Sequence, residues 1–333
     1  MFAISGLSLW IYLGLELLHL FKQEDSALSQ TVWCSRIIFM IPLVIKWMQR
    51  FTRFMGWTTS SYVVLGIFML MVLVIVYVWW PLAKMVMSYI DWHGDWWRYM
   101  DWLLVGIFLF MSITIMAGAD LRRDALIILV GAIGGLVIEG WGTQTYLWWY
   151  FTAQRPPLWI IPAWPIASLT IDRMARFLNR HLPNTVGKWN QFNQIAYWLT
   201  FAIFMALMLI FVMPTIGSSM TVLAILLVIL MIFSSTDHRF ALLTFIAGSG
   251  LGYFLETWGT TRECWTYYTF QKPPLFAILA HGMAAVAFWR SGLILNLGWQ
   301  KIRSGFYLSI RFGKKSAAPP FKADVDGQGS GQM

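Results

Sequence analysis

The sequence is short of charge. Asp, Glu, Lys and Arg make up 12% of its 333 residues, against about a quarter in a soluble domain. It also has only two cysteines, Cys34 and Cys264, too few for a disulfide framework and without the paired spacing of a zinc site. No nucleic-acid motif accompanies the net charge of +9, so no nucleic-acid partner is expected. The basic residues sit in connections between apolar runs, where they set topology and meet anionic lipid. A cleavable signal peptide is also missing. The first apolar run lacks a basic leading segment and carries Glu16 and His19, which predicts a retained span.

Apolar and aromatic residues are what the chain has in quantity. Hydrophobic residues make up 59%, with 21 Trp, 12 Tyr and 24 Phe. A bilayer crossing takes about 20 mostly apolar residues, and the runs predict an all-α, polytopic helical bundle of about ten spans. These are 4–21, 31–48, 60–80, 102–119, 125–142, 157–171, 194–214, 219–235, 240–257 and 274–295. The organisation expected is 1–59 for spans one and two, 60–193 and 194–312 for two repeat halves, and 313–333 for a disordered tail rich in Lys, Pro, Gly, Ser and Gln. Lys and Arg divide unevenly over the connections, seventeen on one side and seven on the other. The bias predicts a multi-pass cell-membrane protein with both termini cytoplasmic. The basic amphipathic stretches 172–189 and 297–315 are expected along the inner membrane surface.

The chain repeats itself. Shifted by 117 residues, segment 120–179 overlays 237–296 without a gap, and 22 of the 60 positions are identical. Glu139-x-Trp141-Gly142-Thr143 matches Glu256-x-Trp258-Gly259-Thr260. Trp148, Tyr150, Thr152, Gln154, Pro156, Pro157 and Leu158 match Trp265, Tyr267, Thr269, Gln271, Pro273, Pro274 and Leu275. Shared lipid exposure makes Leu and Ile coincide; it does not reproduce Gln-basic-Pro-Pro-Leu. The copies lie four crossings apart, an even number, so they are expected to be parallel repeats with both glutamates at one depth near the outside.

Spacing places Gly131, Gly135, Glu139 and Thr143 four apart, on one helix face. Two glycines there let a neighbouring helix approach closely, so the glutamate faces protein and not lipid. Ionisable residues within spans are costly and tend to be functional. Glu139 and Glu256 are therefore the candidate catalytic carboxyls, with interhelix hydrogen bonding as the structural alternative. His281 lies two turns into the last span at the depth of Glu256, and its counterpart in the first copy is Trp164. That makes one copy a Glu–His site and the other a Glu within an aromatic wall. Trp141, Trp258, Trp148, Trp265, Tyr150 and Tyr267 are the candidate substrate-binding walls; Trp141 and Trp258 serve equally as interfacial belt residues. Asp91, His93 and Asp95 read as a solvated, Trp-anchored loop and not as metal ligands. Asp120–Arg122 and Asp237–Arg239 read as topology-fixing ion pairs. No metal or cofactor is called for.

Glu139-x-Trp141-Gly142-Thr143, the aromatic Trp148-x-Tyr150 stretch and the Pro-led span with Pro162 and Trp164 together resemble the integral-membrane carotenoid-biosynthesis family that includes carotenoid hydratases. The likeness covers about thirty residues in each copy. It implies acid catalysis on an isoprenoid double bond. That chemistry needs a carboxylic acid kept neutral by poor solvation, aromatic faces for the resulting cation, and water from one side. Glu256 and His281, walled by Trp258, Trp265 and Tyr267, supply these parts, with a lipidic or isoprenoid small molecule and membrane lipids as the partners. Paired glutamates on parallel repeats also fit a proton-coupled carrier, and a scaffold or assembly subunit needs no site at all.

The topology is testable. Reporter fusions after Arg180 and after Lys315 should report the cytoplasm, and fusions near Thr152 and Thr269 the outside. Opposite compartments for these last two would exclude parallel repeats.

Overall fold

The computed structural model describes residues 42–182 and 188–315. It divides the chain at Trp57/Thr58. Of the first unit, the described part is a helix over 42–54 (α1) ending in a turn where Gly56 takes a positive φ of 64°. The expected first span, 4–21, and most of the second lie outside the described residues, as does the tail from 316.

The second unit is helical. Its elements are α2 (Thr59–Ser88), α3 (Trp102–Met116), α4 (Leu121–Gln144), β1 (Trp148–Tyr150), α5 (Ala163–His181), α6 (Lys188–Val212), α7 (Ser219–Phe233), α8 (His238–Thr261), β2 (Trp265–Tyr267) and α9 (Leu275–Lys315). Short 3-10 turns at Trp96–Tyr99, Leu158–Ile160 and Met213–Thr215 lie between them. Among the described residues five helices are long and apolar enough to cross a membrane: Thr59–Pro81, Leu121–Gln144, Gln191–Thr215, His238–Thr261 and Leu275–Lys301. Eight of the ten expected runs lie wholly among the described residues, and each coincides with one of the helices α2 to α9. The runs at 102–119 and 219–235 form helices of only 15 residues, short of the roughly 20 that a full crossing takes. The run at 157–171 opens as a 3-10 turn and continues as α5, whose second half carries Asp172, Arg173 and Arg176.

Helices α4, α5, α8 and α9 form the centre. α5 lies against α8 and α9 against α4; α3 is seated on α5 and α8, and α7 on α9 and α4. The bounds of α7, α8 and β2 are those of α3, α4 and β1 moved by 117 residues. Both α4 and α8 start at an aspartate. Asp120 accepts the backbone N–H groups of Arg122 and Arg123, and Asp237 accepts that of Phe240. Such caps satisfy amides that have no partner in the first turn. In the first copy a buried pair lies one turn on from Asp120, Arg173 to Asp124 at 2.6 Å, and in the second Arg239 donates to Asn179 Oδ1 and to the Leu182 carbonyl. The Arg173–Asp124 bond joins α5 to α4, and 172–181 is the second half of α5. At the far end, 297–315 continues α9 without a break.

The glycine face behaves as its spacing suggests. A Cβ on Gly135 would stand 2.3 Å from Cγ of Trp164, and one on Gly131 2.8 Å from Oγ of Ser168, both on α5. On α8, Gly252 meets Cβ of His281 at 2.6 Å and Gly248 meets Cα of Gly282 at 2.8 Å, both on α9. A Cβ on Gly106 would meet nothing within 4 Å. Leucine at Gly135 or Gly252 must therefore force helices apart, and overpacking of this kind costs about 1–3 kcal/mol or more. Thermal melting of Gly135→Leu, Gly252→Leu and Gly106→Leu in detergent should show losses for the first two only. Equal tolerance at all three would remove the close-packing account.

Candidate functional site

Past the last turn of α4 the chain reverses and runs into β1; past α8 it does the same into β2. The two strands pair antiparallel as Trp148↔Tyr267, Trp149↔Thr266 and Tyr150↔Trp265. Positions 149 and 266 are 117 apart, so the ribbon is centred on corresponding residues. Two flanking bonds follow the same rule: Phe151 N–H donates to Cys264 O at 3.2 Å, and Tyr268 N–H to Leu147 O at 3.0 Å. The ribbon lays two indoles and two phenols over the ends of α4 and α8. Gly142 and Gly259 make room for the indoles. A Cβ on either would stand about 2 Å from a ring atom, 1.8 Å for Trp148 and 2.0 Å for Trp265. That steric need explains the glycine after each Glu-x-Trp.

Under the ribbon lie the two glutamates, each 3% exposed. Oε2 of Glu139 accepts Nε1–H of Trp148 at 3.1 Å. Its Oε1 accepts the Tyr150 hydroxyl at 2.9 Å and Nε1–H of Trp164 at 3.1 Å. Oε2 of Glu256 accepts Nε1–H of Trp265 at 2.9 Å. Its Oε1 meets the Tyr267 hydroxyl and Nε2 of His281, both at 2.9 Å. Trp164 and His281, corresponding positions on α5 and α9, stack on each other with ring centroids 5.7 Å apart and planes inclined by 18°. One threonine per helix closes each arrangement: Thr143 and Thr260 hydroxyls donate to the glutamates' own carbonyls at 2.5 and 2.6 Å.

The difference between the copies is chemical. An indole N–H only donates, so Glu139 is held by two donors and a phenol. Imidazole either donates or accepts, and Glu256 alone of the two therefore touches a ring nitrogen that can take either role. His281 is also the less enclosed partner, with 17% of its side chain exposed against 4% for Glu256.

Six of the expected aromatic residues divide two ways. Trp148, Tyr150, Trp265 and Tyr267 bind the carboxyls directly. Trp141 and Trp258 turn aside and tie the copies to the short helices. Nε1–H of Trp141 donates to Thr221 on α7 at 3.0 Å, and that of Trp258 to Asp101 before α3 at 2.9 Å. Asp101 also takes Arg262 through both oxygens, at 3.0 and 3.1 Å. Burial opposes its ionisation, but these bonds and the Leu104 amide outweigh it and hold its carboxyl below the usual range. The loop 88–102 thus reaches the site through Asp101. Its other acids are exposed: Asp91 accepts the His93 amide and Asp95 pairs with Arg98 at 3.2 Å. Cys264 is a buried thiol, which burial pushes up to about 12. Among the described residues no three His, Cys, Asp or Glu stand together as metal ligands.

The sequence offered no sign of the strand pairing, because three-residue strands carry too little alternation to read. Asp101 could not be linked to Trp258 either, since 157 residues separate them. Trp164 was visible only as the counterpart of His281; its bond to Glu139 needed the geometry of α5. No protein family, curated protein or solved structure matches this chain.

Proposed function

We propose that this chain is a multi-pass membrane enzyme that acts on an isoprenoid or other lipidic substrate by carboxylic acid catalysis at the outer membrane interface. Its five long apolar helices are compatible with an integral membrane protein. The observation that carries the reading is the Glu256–His281 contact at 2.9 Å beneath an aromatic ribbon. In hydration, Glu256 gives its proton to one alkene carbon and the neighbouring carbon becomes a cation. The faces of Trp265, Tyr267 and Tyr150 stabilise that cation. Water adds to it, and the proton that water sheds returns through His281 to Glu256, so the balance is alkene plus water to alcohol. A positioned acid contributes about 10²–10⁴-fold.

Glu139 has a different part in this account. It anchors β1 through Trp148 and Tyr150 and holds α5 through Trp164. Corresponding helices bring both carboxyls under one ribbon, at the end of the bundle opposite the arginines of α5. The charge bias, which predicts cytoplasmic termini, supports an outward-facing ribbon.

Glutamine substitution separates the roles. At Glu256 the amide can donate to His281 and still accept from Trp265, so Glu256→Gln should keep its melting temperature and lose at least about 100-fold in turnover. At Glu139 the new N–H group faces an indole donor, which leaves buried groups unpaired at about 1–3 kcal/mol. Glu139→Gln should therefore melt lower while retaining more activity. His281→Phe should lose activity as Glu256→Gln does. The readouts are detergent melting and mass spectrometry of lipids from cells with each variant. Full function in both glutamine variants would favour a scaffold. Equal loss in both with a silent His281→Phe would favour a proton-coupled carrier.

A further inference from the structure

Away from the ribbon, helices α4, α5, α8 and α9 enclose a cavity of about 370 Å³, within the roughly 300–1,000 Å³ of small-molecule pockets. It is long, not round. On α9 its wall runs from Ala285 to Asn296 and on α4 from Val130 back to Arg123, about 16 and 10 Å at the rise of a helix. The deep end is apolar. The other end is polar and belongs to a charged cluster in which three guanidiniums serve two carboxylates. Asp172 takes Arg123 at 3.1 Å, Arg173 at 2.8 Å and Arg176 at 2.5 Å, and Arg173 also takes Asp124 at 2.6 Å. Within these pairs guanidiniums outnumber carboxylates by one, and Arg123 keeps 49% of its side chain exposed at the opening.

A second observation concerns Thr244, which lines the cavity from α8. It is 3% exposed, and among the described residues its hydroxyl has no partner. Other helical threonines here, Thr114, Thr143, Thr170 and Thr260 among them, donate to the carbonyl four residues back. An unpaired buried hydroxyl costs about 1–3 kcal/mol, and a ligand acceptor at that depth would remove the cost.

We infer that this cavity is a binding site for one anionic phospholipid, with its phosphate at Arg123, an ester carbonyl accepting from Thr244, and an acyl chain in the apolar slot. A membrane chain supplies such a ligand at high local concentration, and basic pockets between helices suit phosphate headgroups. The site is distinct from the glutamate cluster. Phe288 closes the deep end by filling the space at Gly134, and beyond it stand Trp164 and the stacked His281.

The test uses the full chain. After detergent washing, native mass spectrometry should find one phospholipid of anionic class retained per chain. Phosphatidylglycerol nanodiscs should raise the melting temperature over phosphatidylcholine ones. Gly292 lines the slot and a Cβ there meets nothing within 4 Å, so Gly292→Leu should occupy the space and abolish retention. Thr244→Val should keep the fold and weaken retention about three- to tenfold, the loss of one hydrogen bond. Retention of phosphatidylcholine to the same extent, or undiminished retention in both variants, would overturn the assignment. Inorganic phosphate that stabilises as well as the lipid does would also overturn it, because the chain would then contribute nothing.

Discussion

Two carboxyl groups taken out of water constrain this fold more than any other pair of residues. A buried charge or carboxylic acid is tolerated only when its hydrogen bonds are made. Glu139 and Glu256 each make three, and the partners come from the ribbon and a neighbouring helix. From this need follow the reversal after α4 and α8, the glycines under the indoles, and the proximity of α5 and α9 to the glycine faces. A 3% exposed glutamate with an incomplete set would be a defect; with a complete set it orders the whole hairpin end of the bundle.

The same elements are then used twice with one substitution. Trp164 and His281 occupy corresponding positions, stack on each other and reach opposite carboxyls. Replacing an indole with an imidazole keeps the flat shape and the hydrogen bond to Oε1, but adds a group that can hold a proton. On the proposed reading, the copy with the imidazole carries the chemistry and the copy with the indole holds the ribbon. The opposite end of the bundle is organised by another rule. There arginines outnumber aspartates within a buried cluster, and the excess lies beside an apolar slot.

Much of this was legible in the sequence wherever chemistry repeats at a fixed interval. The four-residue spacing of Gly131, Gly135 and Glu139 gave the buried face, and the comparison of copies singled out His281. What stayed hidden were contacts across long separations, such as Trp258 with Asp101 and Arg173 with Asp124, because composition marks a residue's solvent but not its partner. Hydropathy also placed α3 and α7, although not their length: each is a helix of 15 residues, and α3 runs from Asp101 beside Trp258 to Met116, whose carbonyl accepts the Ser61 hydroxyl at the start of α2.

The central claim is that the Glu256 proton can pass to His281, whereas Glu139 has no base beside it. Infrared difference spectroscopy of the full chain in lipid, each variant recorded against the unsubstituted protein, reads this directly. The account predicts that His281→Phe shifts a carboxyl stretch that Glu256→Gln removes and Glu139→Gln leaves in place. A His281→Phe variant that moves no carboxyl stretch, or moves only the one that Glu139→Gln removes, would contradict it.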